Sequence, residues 1–66
     1  MKVKINNEEL DFTSSTSVSD YIQSLSLPSS GLAIAINNVL VPRNQWETTQ
    51  FQENDQVIII QAAYGG

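Results

Sequence analysis

The residues best suited to chemistry in this 66-residue chain stand at its end: Tyr64, Gly65 and Gly66. Two glycines remove every Cβ from the last two positions, so the segment is slim and can adopt backbone angles closed to other residues. Such a tail can thread a narrow channel and present the Gly66 carboxylate to another protein's active site. Glycine is also the residue that loses most freedom when ordered, which makes a pair of them a poor anchor. Residues 61–66 are therefore expected to form a flexible tail on a single domain spanning residues 1–66.

Little else in the chain offers reactive groups. It has no cysteine, hence no disulfide, thiolate metal site or cysteine nucleophile, and no histidine to serve as base or metal ligand. Glu8, Glu9 and Asp11 form the densest acidic group, but alternation along a strand sends Glu8 and Glu9 to opposite faces, so they read as a solvated edge. Arg43, after Pro42, reads as a solvated cation, and Trp46 as a cap on one end of the core. Seven acids against Lys2, Lys4 and Arg43 give a formal charge of −4, without the basic footprint that nucleic acid requires. No stretch approaches the roughly 20 apolar residues of a membrane span and no signal-peptide pattern opens the chain; a cytoplasmic protein without metal or cofactor is expected. So short a domain has little room for a substrate pocket, which argues against an enzyme.

The elements that must carry the tail follow from periodicity. Met1, Val3 and Ile5 alternate with Lys2 and Lys4, a half-buried strand; Asn6-Asn7 turns it; and Leu10 and Phe12 alternate in a returning strand. Ser17 and Asp20 have capping-box spacing, and Val18, Tyr21, Ile22 and Leu25 lie on one face of a helix of about two turns that Pro28 must end. The serine-rich flanks, 13–17 and 24–30, are loops. Leu32, Ile34 and Ile36 alternate with Ala33 and Ala35, Asn37-Asn38 turns again, and Val39 to Val41 returns as far as Pro42. Residues 43–50 are polar around Trp46 and fit a helical turn or loop. Asn54-Asp55 is a third turn, and Val57 to Ile60 an unbroken apolar strand. The order β-β-α-β-β-β, with first and last strands adjacent and parallel, predicts an α+β domain: a five-stranded mixed sheet with one short helix on one face.

Phase assigns the core to Val3, Ile5, Leu10, Phe12, Val18, Ile22, Leu25, Leu32, Ile34, Ile36, Val57 and Ile59. Ile58, Ile60, Ala33 and Ala35 must then point to the uncovered face, with Lys2 and Lys4 beside them. A flat apolar patch rimmed by cations at the root of the tail is the expected docking face for a partner.

Ala35-Ile36-Asn37-Asn38, Val41-Pro42-Arg43 with Trp46, Asn54-Asp55 before the last strand, and Gly65-Gly66 recur in this order in a known group. On these residues the chain resembles the ubiquitin-like β-grasp proteins, and within them the ThiS family of sulfur carriers of thiamine biosynthesis, over essentially its whole length. Tyr64 departs from the small residue that often precedes the glycines. The resemblance implies that a ThiF-like adenylating enzyme uses ATP to activate the Gly66 carboxylate, that a sulfur donor protein displaces AMP to leave a thiocarboxylate, and that a ThiG-like thiazole synthase receives the sulfur. The carrier itself would bind no cofactor. The molybdopterin synthase small subunit, a ubiquitin-like protein modifier and a plain β-grasp binding domain share enough of this pattern to stand as alternatives.

Overall fold

The computed structural model describes residues 1–26 and 31–61. Its elements are β1 (Lys2–Ile5), β2 (Glu8–Asp11), α1 (Val18–Ser24), β3 (Leu32–Ile36), β4 (Val39–Leu40), a 3-10 turn at Arg43–Gln45, and β5 (Gln56–Gln61). The strands form one sheet in the order β2-β1-β5-β3-β4. β1 and β5 run parallel, while every other neighbouring pair is antiparallel. This is the expected order, and the central β5 joins the two hairpins.

Asparagine makes the hairpins possible. Asn6 and Asn7 have φ of 50° and 68°, and Asn37 and Asn38 have φ of 52° and 69°. A two-residue connection whose twist matches the flanking strands needs positive φ at both central positions, and asparagine tolerates that region better than most residues. Asn54 adopts it too, at 69°, in the turn before β5.

The helix begins where the capping residues place it. The Asp20 N–H donates to Ser17 Oγ at 3.0 Å. The two preceding helical N–H groups, which no helix can satisfy internally, donate to the 43–51 segment: Val18 to the Thr49 carbonyl at 2.9 Å and Ser19 to that of Trp46 at 3.0 Å. The polar segment thus docks the helix as well as connecting strands. It is itself held by the Trp46 indole N–H, which donates to the Val41 carbonyl at 3.0 Å, and by the Arg43 guanidinium lying 5.3 Å from the centre of the Trp46 ring.

The core lies between α1 and one sheet face. Val3, Ile5, Val18, Ile22, Leu32, Ile34 and Val57 are buried as expected, with Trp46; Leu10, Phe12, Ile36 and Ile59 are partly buried against them. Leu25 is a correction: it is 40% exposed. The helix ends at Ser24, Leu25 is its C-cap, and Ser26 follows at φ 56°, so Leu25 stands at the helix end and is only partly covered rather than buried with the rest of the apolar face. Phe51, which periodicity does not single out, is 3% exposed. Its ring meets those of Phe12 and Tyr21 edge-on at 5.6 and 5.8 Å, closing the core on the helix side. Boundaries shift slightly elsewhere: Phe12 lies just past β2, and Val41 just past β4, although their N–H groups still bond to Met1 and Ile34 carbonyls.

Candidate functional site: the open sheet face and the end of β5

The helix covers one face of the sheet and leaves the other open. Register shows what stands there. Ile60 lies opposite Ala33, and Ile58 opposite Ala35, across β5 and β3; Leu40 lies opposite Ala35 across β3 and β4. Residues directly opposite share a face, so Leu40 joins the four residues that phase had placed together. Ile58, Ile60 and Leu40 are 46%, 60% and 66% exposed. The alanines between them keep the surface low. Leu40 could have been included from the sequence by counting pairs outward from the Asn37-Asn38 turn.

Lys2 and Lys4 share this face, as expected, but they are not an isolated cationic rim. Lys4 lies opposite Glu9, and Lys2 opposite Asp11, and the Lys2 ammonium approaches Glu9 at 3.8 Å. The outer surface of β1 and β2 is a band of mixed charge. The correction has a simple cause: strand alternation that lifts Lys2 and Lys4 outward lifts Glu9 and Asp11 with them. Glu8, by contrast, faces the helix side near Tyr21, whose phenol pKa is raised by burial and then by the Glu8 charge. Among the described residues no group of three or more His, Cys, Asp or Glu is placed to hold a metal ion, and no helix is long and apolar enough to cross a membrane.

β5 carries this face toward the end of the chain. Gln61, expected as the first tail residue, is the last residue of the strand and pairs with Leu32. Tyr64, Gly65 and Gly66 lie outside the described residues. Two asparagine side chains grip β5 near its two ends. At its start, Asn37 Oδ1 accepts the Gln56 N–H at 2.9 Å while its Nδ2 donates to Asp55 at 3.0 Å. The buried Asp55 carboxylate also accepts the Gln52 N–H at 2.7 Å, fixing the turn before the strand. Toward its end, Asn6 Oδ1 accepts the Ile59 N–H at 2.9 Å and Asn6 Nδ2 donates to the Ile59 carbonyl at 3.3 Å. Sequence reasoning read these residues as turn formers and missed their second use.

A five-stranded mixed sheet clasping one short helix, with parallel first and last strands and an open face running toward the terminal segment, defines a β-grasp domain. The comparisons with known proteins agree. The model of the ThiS family matches residues 2–66. The sulfur carrier protein ThiS of Escherichia coli (strain K12) is 30% identical over 66 residues, covering all of both chains. The crystal structure of a thiamine biosynthesis protein (ThiS) from Geobacter metallireducens superposes with a TM-score of 0.81 at 17% identity, over the whole of both chains. A solution structure of a thiamine biosynthesis protein from the same organism gives 0.79 at 19%, over all of this chain and 88% of the other. The chain belongs to the ThiS family.

Proposed function

We propose that this protein is a sulfur carrier of thiamine biosynthesis, acting as a co-substrate rather than a catalyst, with Gly66 as the residue that is modified. The observation that carries this reading is a family match extending through the diglycine, together with a full-length relative named as a sulfur carrier.

The chemistry asks little of the carrier. A carboxylate resists nucleophiles until one oxygen becomes a good leaving group. An adenylating partner supplies this by joining the Gly66 carboxylate to AMP from ATP, releasing pyrophosphate. Sulfur at the sulfide level then attacks the acyl carbon, the bond to the AMP oxygen breaks, and AMP departs with its electron pair. The thiocarboxylate that remains is a soft nucleophile, ionised near neutral pH, and needs no base from the carrier. A chain without cysteine has no thiol to compete for the sulfur. The thiazole ring of thiamine is the destination of that sulfur, delivered to a thiazole synthase.

Docking is assigned to Ile58, Ile60, Ala33 and Ala35, with Leu40 added by the register and Lys2 and Lys4 at the border. The support is their shared exposed face and its continuity with the strand that leads to the tail. Apolar area of this kind, uncovered by the fold that displays it, is suited to a partner surface. Deleting Gly66, or extending the chain beyond it, tests the site. Either change is expected to abolish ATP–pyrophosphate exchange by the adenylating enzyme while leaving the melting temperature unaltered; retained exchange contradicts the assignment.

A further inference from the structure

β1 pairs with β5 at only two positions, Lys4 with Gln56 and Ile5 with Val57. The next ladder bond, from the Asn6 N–H to the Val57 carbonyl, is formed at 2.9 Å. Were β1 to continue, the carbonyl of Asn6 itself would accept the Ile59 N–H, and a following N–H would serve the Ile59 carbonyl. Instead φ of 50° at Asn6 turns the backbone away into the hairpin. Its side-chain amide takes over both bonds, Oδ1 accepting and Nδ2 donating. The orientation of the amide is fixed by its partners, because a backbone N–H can meet only an acceptor. One side chain thus replaces a full step of the ladder, two residues before the last residue of β5.

We infer that Asn6 is a positioning residue for activation: it holds the end of β5 on the β1 side, and so sets where the strand ends and the tail begins. This rests on the carrier reading above. β3 holds β5 from the other side as far as Gln61, but among the described residues the hold on β5 beyond Val57 from the β1 side is the Asn6 amide. Each residue released from a sheet adds up to about 3.4 Å of slack to the segment beyond it. With the Asn6 grip lost, Ile59 to Gln61 rest on β3 alone; each opening of that one-sided segment would let the origin of the tail wander by up to about 10 Å, and a partner that must place one terminal carboxylate would have to reorder it on binding.

Asn6→Gly removes the amide while keeping the positive φ of the turn. Asn37→Gly is the matched control, with the same turn geometry and a grip on the opposite end of β5. In N6G the Ile59 amide should exchange with solvent about tenfold faster or more relative to Ile34, as expected for loss of a local hydrogen-bonded clamp. KM for activation should rise about three- to tenfold, the cost of ordering a freed segment on binding, with kcat unchanged. N37G should lower the melting temperature without moving KM. Should N6G lose its native spectrum, Asn6→Asp, which keeps an acceptor for the Ile59 N–H and loses the donor to its carbonyl, is read in the same assays. Unchanged Ile59 exchange, or an equal KM change in the Asn6 and Asn37 variants, overturns the inference. An inactive wild-type chain would overturn the carrier reading and with it the KM arm, while Ile59 exchange still decides whether the clamp exists.

Discussion

The outer face of the sheet has two halves that solve the same folding problem with opposite residue types. On β1 and β2 the outward positions are Lys2, Lys4, Glu9 and Asp11. On β5, β3 and β4 they are Ile58, Ile60, Ala33, Ala35 and Leu40. Beneath the central strands of both halves the inward residues are alike: Val3 and Ile5 on β1, Ile34 and Val57 on β3 and β5, all buried. The core therefore makes no demand that would set the two halves apart. A charged outer face resists aggregation at an edge, and β2 is an edge strand with that protection. An apolar outer face forgoes this advantage, and a partner that covers it is the benefit that would balance the loss.

The comparison is broken most severely from beneath. Ile34 is 1% exposed, and Ile34→Ala should cost about 2–5 kcal/mol, a large part of what holds so small a domain together. Denaturant unfolding measures this, and an unchanged midpoint would mean that the inward register is wrong. On the opposite face of the same sheet half, Ile58→Asp and Ile60→Asp should leave stability within about 0.5 kcal/mol, as surface changes do, yet weaken binding to the adenylating enzyme and the thiazole synthase roughly tenfold or more, as expected if they anchor the contact. Calorimetric titration of each partner, read beside the melting temperature, separates the two effects. The smallest change is expected on the charged half. Lys2→Ala removes one exposed partner of the Glu9 pair and should alter stability by less than about 1 kcal/mol; its effect on binding should be confined to association rate at low salt. If Lys2→Ala weakened both partners as much as Ile60→Asp does, the distinction between the halves would fall.

Most of what could be read from the sequence lies within one element, apart from the parallel pairing of first and last strands, which followed from the element order. Alternation in Met1 to Ile5 and in Leu32 to Ile36 fixed which residues face inward, and Ser17 with Asp20 located the start of the helix. Asparagine pairs marked both hairpins because their backbone angles are a local matter. The omissions are all contacts between elements. Phe51 sits among glutamines, and nothing in its neighbourhood says that it closes a three-ring cluster with Phe12 and Tyr21. Leu25 has the right helical spacing, but the helix ends before it and it is only partly covered. Asp55 reads as a turn residue, whereas its burial follows from the Asn37 amide and Gln52 N–H that meet it only in the folded state. The second role of Asn6 depends on where β5 passes, which no window around residue 6 contains. For the proposed carrier tail the position is reversed: Gly65-Gly66 stands out in the sequence alone, because the slimness of glycine is a property of the residue rather than of packing.

The central claim is that Gly66 carries sulfur, and the intact mass of the protein tests it most directly. After incubation with ATP, the adenylating enzyme and a sulfide-level donor, the wild-type chain should gain the mass difference of one sulfur replacing one oxygen, and the Gly66-deleted chain should gain nothing. An unchanged wild-type mass with the adenylating enzyme demonstrably active, or covalent ladders joining the chain to other proteins in place of that gain, would contradict it.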